Sequence, residues 1–476
     1  MPHRLPASVF LLTLAPVLGA QANVQLRSLV THNGSPGYSG VWGYVDQATG
    51  REFALVGAQD GAWIVETTDP VVPIERAFFP GPITQWRELA CYGSYVYVVS
   101  EATPGVDIIS MVNPDQPALV GNFTIPNWTG THTVSIDITR GQLYCNGSSI
   151  NRGLKILDVA TNPASPTLIA NLFPGLYVHD TFAQNGYAYL SAIFNGQLII
   201  VDVSNLPQAG PLGGVVTPGA FTHNAWANST DTLALTTDEF NQGYLQLYDI
   251  SNKSAPVPLG SYSTSGAVSV HNVVLRDDKV AHLSYYEAGY RAVDVSDPSH
   301  PVEIGYYVGT SMWGVYPLQP SRNIYTTGIP AAGGLYILHL ACGVPEPYGH
   351  GTAGSGNFVP EIDWSGGHAR VGNSTFRIEG RKLLGATPTF ILLGAAPADL
   401  NVLGIQLYID ATLPMLVAAQ LSTGTLAGEG TASQLLPLPN DPALSGATLY
   451  AQWLAYDINA SQGLSASPGL NITLCQ

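Results

Sequence analysis

A chain of 476 residues is long enough for two to four domains, or for one large repeat array with a smaller unit beside it. Charged residues make up only 11% of it, whereas Gly (51) and Pro (35) abound and Tyr (24) outnumbers Phe (13), a composition of many short strands and tight turns rather than helices. The formal net charge of −16, with no basic stretch anywhere, excludes a nucleic-acid footprint, which needs clustered Lys and Arg to displace counterions.

The first segment reads as a secretory leader. Arg4 supplies a positive charge, residues 9–18 are mostly apolar, and Ala20-Gln21-Ala22 places small residues at a cleavage site. Residues 1–22 are therefore expected to be a signal peptide, with the mature chain starting near Asn23 and located outside the cell, either secreted or at the surface. The apolar run is well short of the roughly 20 residues a spanning helix needs, so no transmembrane segment is predicted.

The next segment, Val24-Gln-Leu-Arg-Ser-Leu-Val30, is strand-like but belongs to no complete unit of its own. After it comes a seven-fold repeat. An apolar run ending in a turn signal appears as Ala62-Trp-Ile-Val-Glu66, Val106-Asp-Ile-Ile-Ser110, Leu154-Lys-Ile-Leu-Asp158 and Leu198-Ile-Ile-Val-Asp202. It continues as Leu245-Gln-Leu-Tyr-Asp249, Tyr290-Arg-Ala-Val-Asp294 and Leu335-Tyr-Ile-Leu-His339, with steps of 44 to 48 residues between last positions. A second ladder keeps time with it: Trp42, Trp86, His132, His179, His223, His271 and Trp313. Two landmarks sharing one period define the architecture before any single motif does.

Each unit has room for four short strands; in the third these are predicted over 132–138, 142–147, 153–159 and 167–172. Radially repeated four-stranded units of this length are propeller blades. The seventh unit stops after residue 340 without a fourth strand, so residues 24–30 are expected to complete it and remove two exposed sheet edges. The fold predicted for residues 23–342 is a seven-bladed β-propeller. The Gly/Pro-rich stretch 343–356 reads as a linker. Alternating segments such as Thr375-Phe-Arg-Ile-Glu379 and Thr448-Leu-Tyr-Ala-Gln-Trp-Leu454 make residues 357–476 a small antiparallel β-sandwich. Of the four cysteines, Cys342 and Cys475 bracket this region and are the candidate disulfide; Cys91 and Cys145 fit buried thiols equally well.

The ordered motifs Trp42-Gly-Tyr, Trp86-Arg-Glu-Leu, Val98-Val99-Ser100-Glu101, His179-Asp, His223-Asn-Ala-Trp226, His271-Asn, Asp294-Val-Ser-Asp-Pro298 and Trp313-Gly-Val-Tyr316 resemble the choice-of-anchor B family, whose members carry LVIVD-type propeller repeats. The resemblance spans roughly residues 24 to 341 and implies an exported, surface or extracellular propeller whose ligand is not established.

If each rung of the second ladder opens an innermost strand, His132, His179, His223 and His271 should face one axial mouth, with Trp42, Trp86 and Trp313 in the equivalent places of the other units. Arg87 and Glu88 adjoin the second rung, and connections returning to the same face carry Glu101, Asp238, Glu239 and Glu287; with Trp226, these form the candidate ligand site. Three readings compete for the histidines. In the first, each makes a structural hydrogen bond to a neighbouring strand. In the second, His132, His179, His223 and His271 ligate a divalent metal ion, the one cofactor the sequence suggests. The third is acid–base catalysis by a His with Glu88, Asp238 or Glu239, but no G-x-S-x-G nucleophile elbow accompanies it. Asp158, Asp202, Asp249 and Asp294, which end third strands near the opposite face, are expected to stabilise turns. The function expected is that of a binding or scaffold module engaging a small molecule, glycan or protein at the mouth; the alternative is a metal-dependent hydrolase or lyase using the same His/carboxylate cluster.

Overall fold

The computed structural model describes residues 21–147, 153–266, 268–402, 404–460 and 462–476. The expected leader lies outside the described residues as far as residue 20. Gln21–Ala22, expected to end that leader, pairs antiparallel with Tyr307 and Tyr306.

Residues 21–340 form seven antiparallel sheets in chain order. Each of the first six is a meander of four consecutive strands. The third comprises Thr133–Asp137, Gln142–Asn146, Leu154–Asp158 and Thr167–Leu172. The seventh takes Met312–Tyr316, Ile324–Gly328 and Gly334–Leu340 from its own unit and Val24–Val30 from the other end of the repeat.

One local irregularity recurs in all seven. The pairing of third with fourth strand slips between consecutive residues in the middle of the apolar motif, at Ile64/Val65, Ile156/Leu157, Ile200/Val201 and Ala292/Val293 among others. The same slip occurs between Leu26 and Ser28 opposite Leu338 and Ile337, so Val24–Val30 repeats the geometry of a fourth strand and does not merely fill an edge. A bulge increases local twist, which bends the outermost strand away from its partner.

Burial runs between the sheets. Side chains alternate across each strand, so both faces of every sheet are apolar and each packs on a neighbour. The first sheet meets the second through Phe53, Leu55, Leu89 and Val98, and the sixth meets the seventh through Tyr290, Ile304, Met312 and Leu338. The first also packs on the seventh, through Val56, Trp63, Tyr325 and Ile337. The sheets therefore follow one another in a closed cycle. At the turns after the third strands, Asp158, Asp202, Asp249 and Asp294 each accept a hydrogen bond from a main-chain N–H two residues on.

The remaining residues form a six-stranded sheet around Pro388–Gly394 and Thr448–Tyr456, a three-stranded sheet of Glu361–Ser365, Arg377–Leu384 and Ala427–Leu435, and a hairpin of Pro397–Val402 and Ile405–Ile409. The two larger sheets share one core of Trp364, Phe376, Ile378, Ile391, Trp453 and Ile472. The stretch 343–356 is not the free linker expected from its Gly and Pro content. Glu346–Tyr348 is the edge strand of the six-stranded sheet, against Asn471, Leu470 and Gly469, and Tyr348 packs on Tyr408. Pro347 is tolerated because an edge strand has one unpaired side. A disulfide joins Cys342 to Cys475 across a sequence separation of 133. Cys91 and Cys145 are free, and burial pushes both thiols up to about 12.

This C-terminal unit docks on the sixth sheet. His368 donates from its main-chain N and from Nδ1 to Asp294 Oδ2 at 2.9 and 3.1 Å, and Lys279 bonds Asp363 while lying 4.9 Å over the Trp364 ring. Lys279 and Asp294 both lie at the end of the sheet opposite His271.

Two outcomes follow from this arrangement. Deleting residues 24–30 removes the fourth strand of the seventh sheet, so thermal unfolding should begin at a lower temperature and lose cooperativity; a melt like that of the intact chain would show that closure by this strand is dispensable. Thiol titration of the denatured, unreduced protein should give two thiols, not four. Reduction should destabilise the C-terminal sheets by roughly 2–5 kcal/mol in denaturant titrations.

Candidate functional site

In six of the seven sheets the innermost strand begins at a main-chain carbonyl that accepts a hydrogen bond from the preceding sheet. The His179 carbonyl accepts from Thr133 Oγ1 at 2.7 Å, and the His223 carbonyl from His179 Nδ1 at 3.0 Å. The His271 carbonyl accepts from His223 Nδ1 at 3.0 Å and Thr237 Oγ1 at 2.6 Å, and the Trp313 carbonyl from His271 Nδ1 at 2.8 Å. Continuing round, the Ser39 carbonyl accepts from Thr327 Oγ1, and the Arg87 carbonyl from Ser39 Oγ at 2.9 Å. The four imidazoles and the Trp313 indole consequently stand in one row, with ring centroids 4.4, 4.3, 4.1 and 4.3 Å apart.

A carbonyl can only accept, so Nδ1 carries the proton in His179, His223 and His271, and Nε2 of each carries a lone pair. Burial, reinforced by the neighbouring imidazoles, holds His179 and His271 well below the usual histidine range; burial also lowers His223, against the pull of Glu239. His132 donates from Nδ1 to Glu101 Oε1 at 2.7 Å, and its Nε2 lies 2.9 Å from Nε2 of His179.

Directly after the row comes a second tier: Glu88, Thr133, Asp180, Asn224 and Asn272 each follow a rung residue by one position. Asn224 Nδ2 donates to Asp180 Oδ2 at 2.6 Å, and its Oδ1 accepts from the Val273 N–H at 3.0 Å. Glu88 Oε1 accepts from Trp313 Nε1 at 3.1 Å. Its other oxygen occupies the space over Gly40, where a Cβ would lie 2.2 Å away, so that position must be glycine for the carboxyl to fit. Glu88 keeps part of its surface open to the interior of the ring, yet burial pushes its carboxyl up to about 8, with Trp313 opposing and Asp180 adding to the rise. Burial likewise lifts Asp180 to about 6, against its bond from Asn224.

Both tiers line a central channel of about 500 Å³ that runs from the imidazoles to Thr139, Asn185, Ser229 and Asp278 at the far end of the inner strands. Its walls carry Trp42, Phe182, Trp226 and Trp313, with Trp226 stacked on Phe182 at 4.2 Å. Ser135 Oγ, Asp137 Oδ2 and Asn272 Oδ1 are buried on this lining with no hydrogen-bond partner among the described residues.

The structure places the sequence candidates in three groups. Trp42, Trp86, Glu88, His132, His179, His223, Trp226, His271 and Trp313 line the channel together. Glu101 and Glu239 stand behind the imidazoles: Glu101 on His132, and Glu239 with Oε2 3.7 Å from His223 Nε2 while Oε1 accepts from the Tyr286 hydroxyl. Arg87, Asp238 and Glu287 do not line it. The Arg87 guanidinium is buried and donates to the carbonyls of Ala58 and Pro82; Asp238 accepts from Thr217 and the Gly219 N–H in the turn that precedes Thr222–Ala227; Glu287 is exposed.

Two rungs are out of phase. The positions equivalent to the histidines in the first and second sheets are Ser39 and Arg87, not Trp42 and Trp86. Trp86 precedes its equivalent position by one residue and Trp42 follows its own by three; Trp86 is 39% exposed beside the mouth, 6.1 Å from His132, while Trp42 packs on Tyr316 at 4.9 Å. Asp180, Asn224 and Asn272 were missed as site residues, although the recurring His-Asp and His-Asn pairs carry the signal.

A family model described as LVIVD repeat matches residues 86–125, 149–172, 177–209, 240–264 and 287–308. No curated protein matches the chain. The fold is similar to the crystal structure of the WD40 β-propeller domain of Doa1, with a TM-score of 0.50 at 12% sequence identity over 66% of this chain and 96% of that one. The chain thus carries LVIVD repeats in an all-β fold of four-stranded antiparallel sheets that resembles a β-propeller.

The raised Glu88 carboxyl makes a pH prediction. The folded state holds this proton up to about pH 8, whereas the unfolded chain releases it near the ordinary value of 4.5. Its contribution to stability is therefore complete below pH 4.5 and is lost as pH rises towards 8. Glu88→Gln should flatten the decline in melting temperature over that window; an unchanged pH profile would place the Glu88 carboxyl in contact with bulk water.

Proposed function

We propose that the chain is an exported seven-bladed β-propeller with a C-terminal β-sandwich, and that it works as a binding module that admits a small organic molecule to its axial channel. The seven sheets in a closed cycle support the blade count, the core shared by two facing sheets supports the sandwich, and the Cys342–Cys475 disulfide fits an oxidising compartment. The order of motifs supports membership of the choice-of-anchor B family. No helix of the described residues is long and apolar enough to cross a membrane.

The observation that carries the binding reading is the lining of the channel. Concave sites with aromatic walls and a few convergent polar groups are where small molecules bind. Asp180 lines the channel with part of its surface open, and its carboxyl oxygens accept hydrogen bonds, so the ligand it suits donates them, and Phe182, Trp226 and Trp313 suit an aromatic or apolar body. An aromatic amine has both features.

Titration calorimetry with tryptamine tests this. Binding should be saturable, and Trp226→Ala or Asp180→Asn should weaken it by about tenfold or more, the equivalent of roughly 1.4 kcal/mol. No heat at millimolar tryptamine, or heat unaltered by both substitutions, would sink the reading.

A further inference from the structure

We propose that the mouth of the channel is a transition-metal site, in which Nε2 of His179 and His223 and a carboxylate oxygen of Glu239 bind one divalent cation of the zinc or copper class, with Nε2 of His132 beside that of His179. It deepens the binding reading and rests on it only in placing the ion where a channel ligand would enter.

The argument begins with protons. Nδ1 of His179 and His223 must donate, because each faces a carbonyl. Both Nε2 atoms are then pure acceptors. His132 spends its Nδ1–H on Glu101, which turns its Nε2 towards the same place. Two such nitrogens, those of His132 and His179, approach to 2.9 Å. Two lone pairs at that distance repel unless a proton or a cation is shared between them. Metal–imidazole bonds are about 2.0–2.1 Å, so a cation seated on His179 Nε2 also relieves that contact.

The rest of the donor set is in place. Ligand atoms of His179, His223 and Glu239 lie within 4.8 Å of one another, with Glu239 Oε2 facing His223. Two imidazoles and one carboxylate form a borderline donor set that suits zinc or copper and not calcium or magnesium. Each ligand is also held from behind. Main-chain carbonyls fix His179 and His223, and the Tyr286 hydroxyl fixes Glu239 through Oε1. Such outer partners set the tautomer and orientation of metal-bound histidines. His271 presents the same tautomer but is outside this group of donor atoms, which makes it the internal control.

Equilibrium dialysis of the full chain, stripped with chelator and then exposed to Zn(II) or to Cu(II), should recover one ion per chain. His179→Asn and His223→Asn retain a side-chain N–H close to the Nδ1 position, so they keep the bond to the neighbouring sheet and lose only the ligand. Both should fold like the parent by circular dichroism and lose the ion. Tyr286→Phe, acting through Glu239, should weaken binding by about 10–100-fold. His271→Asn, Trp226→Ala and Glu88→Gln should bind metal normally. Sub-stoichiometric metal in the parent would overturn the proposal and assign the His132–His179 contact to a shared proton. Retention of the ion in both His179→Asn and His223→Asn would overturn it as well. Tryptamine binding that persists in chelator leaves the channel reading standing whatever the metal result, and its loss in a metal-replete protein removes that reading alone.

Discussion

The main-chain carbonyl at the head of the inner strand, in six of the seven sheets, is the point on which the ring depends. It faces the preceding sheet, away from its own ladder partners, and needs a donor from there. Thr133, His179, His223, His271, Thr327 and Ser39 provide one in turn, and Thr237 and Ser284 add a second to His271 and Trp313. Apolar packing between sheets is strong but not directional, and alone it would let sheets slide past one another. A buried carbonyl is specific, because leaving it unpaired costs about 1–3 kcal/mol. The relative height of adjacent sheets, and with it the position of every channel residue, is fixed by these bonds.

That explains which parts of the molecule are legible in the sequence. The apolar motif is visible because the third strand is buried on both faces and its bulge recurs at one place in it, so side-chain identity is constrained in every unit. The head of the inner strand is constrained through its carbonyl, which any residue supplies. Ser39 and Arg87 occupy it as well as histidine does, and the aromatic ladder therefore drifts to Trp42 and Trp86, residues that resemble Trp313 in kind but not in register. Arg87 and Asp238 were expected at the mouth on charge and position alone. Both are consumed by nearby backbone groups, which is the commoner fate of a polar side chain beside a turn. The Gly/Pro-rich stretch 343–356 misleads for a related reason: its composition suits a turn or linker, but Tyr348 supplies enough burial to hold an edge strand.

The structural and functional readings of the histidines were set against each other, yet an imidazole has two nitrogens. In His179 and His223 the first is spent on the neighbouring sheet, which is the structural role. That same bond dictates what the second nitrogen is, and threonine or serine in the same place would satisfy the carbonyl without leaving an acceptor behind. Thr133, Ser39 and Thr327 show that such residues suffice elsewhere in the ring. Four consecutive histidines are therefore more than inter-sheet bonding requires, and the surplus is four side chains placed side by side at one mouth.

The two ends of the channel are also not equivalent. Antiparallel order places Lys279 and Asp294 at the end of the sixth sheet away from His271, and both are engaged by the C-terminal unit through Asp363 and His368. The disulfide between Cys342 and Cys475 ties that unit to the residues that immediately follow Gly334–Leu340, the strand on which Val24–Val30 closes the ring, so it is anchored near that closure. An attachment that fixes one end orients the other. With the C-terminal unit on the turn side, the imidazole row and its carboxylates lie at the opposite end. A ligand entering there meets the lone-pair nitrogens before it reaches the acid tier and the aromatic walls behind them.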